Sequence, residues 1–220
     1  MESIITLLIY IHAFFGGIGL ISGIISVSVK KGATNHKRAG KIFSYAMLTS
    51  SVIALVISNM PQHHNVFLFL IGLFTIYLVL AGNRALTLHH KIKRKADWKD
   101  QAISGSMFLI SIFMLMLGLL GRQYHFENSI LYIFFGGFGV FLTLKDFQTF
   151  KRFTKKKNAG LMNHIGRMVG ALIASITAFL VAGLHIGTIV VWITPTLIGT
   201  AYIIYANKKY NKLKIQTELS

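Results

Sequence analysis

The chain has 220 residues, of which 54% are hydrophobic and 13% charged, with a net charge of +17 and no cysteine. Soluble domains carry about 25% charged residues, so the composition excludes an ordinary soluble domain. The missing cysteine excludes disulfides, thiolate metal sites, iron–sulfur clusters and cysteine nucleophiles.

An apolar run of about 20 residues spans a bilayer as a helix, and lipid offers no hydrogen-bond partner to any other open backbone. Such runs lie at approximately 4–29, 42–59, 66–88, 102–121, 128–147, 168–186 and 188–206. The expected fold is therefore all-α, a polytopic membrane bundle of seven spans forming a single transmembrane domain over 1–220. The first span has no basic n-region and no small-residue cleavage site, and reads as a retained helix rather than a signal peptide. It carries IHAFFGGIG, in which His12, Gly16, Gly19 and Gly23 share one helical face. TNHKRAGK follows, with His36 and Arg38, ahead of the second span.

Span 3 ends in AGNRAL, where Arg84 reads as an interfacial snorkelling side chain. His89 and His90 sit in the basic run that leads to span 4, and Arg122 and His125 follow that span. LYIFFGGFG in span 5 repeats the FFGG of span 1 after 120 residues, with Tyr132 where the first copy has His12. MNHIGRMVG opens span 6 with His164 and Arg167, His185 lies beyond its end, and WITPTLIG places Pro195 in span 7.

All of the 23 basic residues except Arg122 fall on one side of the seven spans. By the positive-inside rule this predicts an outside N-terminus and a cytoplasmic C-terminus in the cytoplasmic (inner) membrane. The charge is then a topology signal with some attraction to anionic lipids at the cytoplasmic face, and no nucleic-acid partner is expected.

The Asn-His pairs at 35–36 and 163–164 match at an offset of 128, and Ala46, Thr49 and Ala54 match Ala174, Thr177 and Ala182. These matches predict a parallel repeat, helices 1–3 against 5–7, with units of approximately 4–88 and 128–210 joined by the helix 102–121. Small residues recur every four positions at Ala46, Ser50, Ala54 and Ser58, and at Gly166, Gly170, Ala174, Ala178 and Ala182. That spacing lets helices approach closely, and it predicts that spans 2 and 6 are central, packed on each other or on spans 1 and 5.

No carboxylate lies near the middle of a span, and Asp146 at the end of span 5 comes closest. Proton-driven carriers and membrane hydrolases usually need an intramembrane acid, so catalysis is not expected. Histidines carry the candidate chemistry. His12 is either bonded to a neighbouring helix, or a cofactor or metal ligand, or a proton or substrate contact, with His185 or His64 as a partner by depth. His36 and His164 fit bis-histidine haem or metal ligation, helix capping, or contact with an anion or lipid headgroup together with Arg38, Arg167 and Arg84.

NHIGRMVGALIASITAFLV, WITPTLIG, AGNRAL and NHKRAG, with an early histidine in helix 1, resemble a group of bacterial multi-pass membrane proteins filed under a domain of unknown function. That resemblance implies an inner-membrane location and no catalytic residues. A fainter similarity to cytochrome b561-type proteins implies haem b between histidines, although four ligands in two matched pairs cannot be assigned. The expected function is a histidine-based haem- or metal-binding membrane module that could pass electrons, the alternative a small-molecule or lipid carrier with a polar cavity between the repeats.

Overall fold

The computed structural model describes residues 2–88, 92, 95–123, 129–152, 158–184, 186 and 188–219. Its α-helices are α1 (Glu2–Ser28), α2 (Thr34–Ile57), α3 (Val66–Ala85), α4 (Trp98–Gln123), α5 (Ser129–Arg152), α6 (Ala159–Ala178) and α7 (Ile189–Leu219). A π turn, Phe179–Gly183, extends α6. Among the described residues seven helices are long and apolar enough to cross a membrane. Helices α2, α5 and α6 run past their apolar stretches at the lysine-rich end of the bundle, because backbone hydrogen bonding continues through polar turns that hydropathy does not register. His36 and His164 accordingly sit inside the first two turns of α2 and α6.

Helix α3 is the centre of the bundle and packs on α2, α4, α5 and α6. Phe74, Tyr77, Leu78 and Val79 of α3 meet Phe43 and Met47 of α2, Met107 of α4, Leu142 of α5, and Ala171 and Leu172 of α6. Helix α6 likewise meets four helices, α1, α3, α5 and α7, so span 6 is central as expected, while α2 packs on α1, as expected, and on α3, and not on α6. Among the described residues no Cα of α2 comes within 8 Å of α6.

The stripe on α2 does make a close approach: a Cβ at Gly19 of α1 would meet Met47 and Ala46, and one at Gly16 would meet Ser50. The stripe on α6 is half-exposed, and Ala178 is exposed. There the small residues lie on the partners instead, with Gly82 of α3 accommodating Met168, Gly23 of α1 accommodating Leu172, and Gly199 of α7 accommodating Ile173. Helix α1 lies along α2, whereas α5 lies along α4 and only touches α6.

The start of α4 is built as a reciprocal cap. The Asp100 amide donates to Asp97 Oδ1 and the Asp97 amide donates to Asp100 Oδ2, both at 3.0 Å, so two otherwise unpaired helix amides are satisfied at once. Arg84, at the end of α3, clamps both carboxylates: Nη2 donates to Asp97 at 2.6 Å and Nε to Asp100 at 2.7 Å. The arginine read as a snorkelling side chain is thus a tie between α3 and α4. Its side chain is a quarter exposed, so solvent screens the pair. Arg84→Ala is expected to destabilise the fold by about 1–2 kcal/mol, and Arg84→Lys by nearly as much, because an ammonium cannot make the forked contact. Detergent-solubilised melting curves check this, and a lysine variant indistinguishable from wild type would show that charge alone suffices.

Candidate functional site

Two polar constellations sit at the lysine-rich end, on opposite sides of α6. Consecutive residues divide between them. Asn163 and Arg167 face α5, while His164 and Met168 face the other way; on α3, Asn83 and Arg84 split likewise.

The first constellation is a cleft of about 680 Å³, within the usual range for a single small ligand of roughly 300–1,000 Å³. Its deeper wall is apolar, formed by Phe43 and Leu48 of α2 and Ile165, Met168 and Leu172 of α6. Lys31, Lys37, Lys41, His36 and His164 line its outer part with Tyr202 and Tyr210, Tyr45 lies along its α2 flank, and among the described residues no carboxylate lines it.

The ring geometry of the histidines is specific. His164 Nδ1 lies 2.8 Å from Gly82 O, His36 Nδ1 lies 3.0 Å from Ser26 O, and His12 Nδ1 lies 2.9 Å from Ser50 O. A carbonyl only accepts, so Nδ1 carries the proton in each ring, and the neutral imidazole keeps its lone pair on Nε2. Metal-ligating histidines are oriented in this way. His12 is bonded to its neighbour α2, and Ser50 Oγ returns a bond to His12 O at 3.0 Å. Tyr132, its counterpart in the second FFGG copy, packs edge-on against Phe67 of α3. The two copies therefore point at different neighbours.

Lys31 closes the end of α1. Its ammonium donates to the carbonyls of Ser26 and Val27 and stands 5.6 Å from the centre of the Tyr202 ring on α7. Burial holds its pKa below the ordinary lysine range. Lys41 lies 5.9 Å from the Tyr45 ring, and Arg38 is exposed on α2. Asn83 Nδ2 donates to Ser44 Oγ at 3.0 Å, which ties α3 to α2 at the floor of the cleft.

The second constellation went unseen in the sequence. Asp146 is only 3% exposed, and so is Arg167. Arg167 Nη2 donates to Asp146 Oδ1 at 2.7 Å and to Leu142 O at 2.7 Å. Tyr77 Oη donates to Asp146 Oδ2 at 2.6 Å, Ser104 Oγ to the same oxygen at 3.0 Å, and Asn163 Nδ2 to Oδ1 at 3.3 Å. Four helices thus converge on one carboxylate. A void of about 10 Å³, room for about one water, lies against Asp146, Ser104 and Asn163 and reaches Arg84 and Asp100. Asp146 lies toward the lysine-rich end of α5, as expected, but it is buried there because α5 continues to Arg152. The one available signal was a lone aspartate in one apolar span and a lone arginine in another.

Of the residues singled out from sequence, the fold brings His36 and His164 to one cleft and leaves His12 apart from them. Arg84 and Arg167 are held by carboxylates of the chain itself. His63 and His64 are exposed, and His89, His90, His125 and His185 lie outside the described residues. Among the described residues no three His, Asp or Glu side chains are grouped to hold a metal ion. A histidine-ligated group at this cleft would have to bring most of its own donors.

Seven apolar helices around a buried core, with polar groups gathered at one end, define a multi-pass membrane helix bundle. The chain matches no family model, and neither a curated protein nor a solved structure gives a significant match.

Proposed function

We propose that the chain is a binding or carrier protein of the bacterial cytoplasmic membrane, its N-terminus outside and its lysine-rich end cytoplasmic, that holds a small amphiphilic molecule in the cleft. The orientation rests on the charge distribution. One observation carries the functional reading: an apolar wall of α2 and α6 residues ends in imidazoles, ammonium groups and tyrosines, so a molecule with an apolar body and a polar end finds matching surface along its length. A duplicated origin agrees with the place of the two Asn-His pairs, whose histidines line opposite walls of this cleft. The packing of α1 along α2 and of α5 along α4 is unlike, and lends a duplicated origin no support.

A second reading is favoured by the tautomers. His36 and His164 come from separate helices, line one cleft, and each has Nε2 available with Nδ1–H tied to a carbonyl. That donor set fits haem b, which supplies four nitrogens of its own and needs only two axial imidazoles. The same cleft offers lysines to its propionates.

Protein purified from haem-replete cells separates the two. Under the first reading the preparation is colourless, an amphiphile is extracted from it by solvent, and Leu48→Trp, which fills the cleft, lowers that yield several-fold. Under the second a Soret band is present at near one haem per chain and disappears in both His36→Ala and His164→Ala. A colourless protein that releases no amphiphile, with Leu48→Trp without effect, would remove both.

A further inference from the structure

The cleft is not closed at its side. Lys41, Tyr45 and Leu48 of α2 form one flank, and Tyr202, Ala206 and Tyr210 of α7 form the other. Packed helices lie about 8–10 Å apart axis to axis and so bring Cα atoms close, yet among the described residues no Cα of α7 comes within 8 Å of α1 or α2. Among the described residues α7 rests chiefly on α6 and its π turn, with Trp192 edge-on to Phe135 of α5. The cation–π contact from Lys31 to Tyr202 reaches across from the end of α1 to α7.

We infer that the occupant of this cleft is an anionic lipid, its head held among Lys31, Lys37 and Lys41 and its chain leaving sideways between α2 and α7. This rests on the reading of the cleft as a binding site for an amphiphile, and it adds the sign of the head and the route. Three lysines and two histidines line the cleft and, among the described residues, no carboxylate balances them, which selects against a cationic or zwitterionic head. Lys31 is already committed to the carbonyls of Ser26 and Val27 and to Tyr202. Lys37 and Lys41 are exposed on α2 and free to move onto a phosphate.

Placement agrees with the charge. The lysines, Tyr202 and Tyr210 lie toward the lysine-rich end, where headgroups lie, and Leu48, Met168 and Leu172, further along α2 and α6, lie at acyl depth. The Nε2 lone pairs of His36 and His164 accept hydrogen bonds, which suits a head carrying hydroxyls beside its phosphate. Phosphatidylglycerol has both groups and is the probe of choice. A lipid that enters through a side gap need not leave the bilayer, so no aqueous path is required.

The test uses the full chain in neutral detergent with equimolar phosphatidylglycerol and phosphatidylcholine, bound lipid being read by native mass spectrometry. Wild type is expected to retain phosphatidylglycerol about 25-fold over phosphatidylcholine, from roughly fivefold for each of Lys37 and Lys41. Lys37→Ala/Lys41→Ala, altering two exposed side chains, should bring the ratio close to one. Leu48→Trp and Ile165→Trp, on opposite walls, should each lower retention of both lipids. Equal retention of the two lipids by wild type, with the tryptophan variants still lowering both, would overturn the anionic head and leave the cleft reading standing. Unchanged retention in folded tryptophan variants would overturn both. Displacement of phosphatidylglycerol by millimolar inorganic phosphate would show that the site recognises a free anion and not a lipid, and displacement by haemin alone would favour haem.

Discussion

Asp146→Asn is expected to be among the most destabilising single substitutions in the chain, and adding Arg167→Met is expected to recover much of the loss. Asparagine keeps an oxygen to accept from Tyr77 or Ser104 but removes the charge that balances Arg167. Arg167 is then a guanidinium 3% exposed, at the packed meeting of α3, α4, α5 and α6, with Leu142 O as its remaining acceptor among the bonds described above. Breaking a buried pair from one side costs about 3–5 kcal/mol, or roughly 6–20 °C in melting temperature for a chain of this size. Among the described residues Arg167 Nε has no hydrogen-bond partner even in the intact cluster, so the pair is imperfectly satisfied, and a methionine of similar length removes both the stranded charge and that donor. The double variant should therefore melt well above Asp146→Asn. Additive single effects, within about 0.5 kcal/mol, would show that the two side chains do not act as a pair.

How this cluster escaped the sequence is informative. Hydropathy ends the fifth apolar run near 147 and so leaves Asp146 at a boundary, but α5 continues to Arg152 and keeps the aspartate under cover. Nothing local marks the partnership, since Arg167 is 21 positions away and on another helix. The seven spans, by contrast, were legible, because each is set by its own run of apolar residues. The repeated Asn-His pairs told that His36 and His164 belong together, and the fold gives them one cleft. What shapes that cleft is the failure of α7 to pack on α1 and α2. That is a property of helix placement, and side-chain periodicity carries no record of it. The small-residue stripe on α6 misled for a related reason: room for a helix contact can be supplied by glycines on either partner, and here Gly23, Gly82 and Gly199 supply it.

The two FFGG copies give the second large effect, and a comparison internal to each motif. Gly136→Ala is expected to disrupt the α4–α5 contact, whereas Gly137→Ala, one residue on, is expected to be neutral or mildly stabilising. A Cβ at Gly136 would stand 2.8 Å from Leu115 N and 2.9 Å from Ser111 O, both backbone atoms of α4. Side chains cannot rotate out of that collision, so the two helices must separate along their length. A Cβ at Gly137 meets only Leu115 Cδ2 at 4.0 Å, and alanine there gains up to about 1 kcal/mol of helix propensity over glycine. Overpacking of a tight contact costs about 1–3 kcal/mol, and Gly136→Leu should exceed that range. In the first copy the same face is used: a Cβ at Gly16 would meet Ser50 Oγ at 3.4 Å, while one at Gly17 would meet nothing within 4 Å. The neighbour there is a side-chain tip that can yield, so Gly16→Ala should cost less than Gly136→Ala although the motif is identical. Melting temperatures of the four alanine variants decide the matter. If Gly137→Ala proved as damaging as Gly136→Ala, the facing of the second motif toward α4 would be wrong, and with it the assignment of α4 and not α6 as the principal partner of α5.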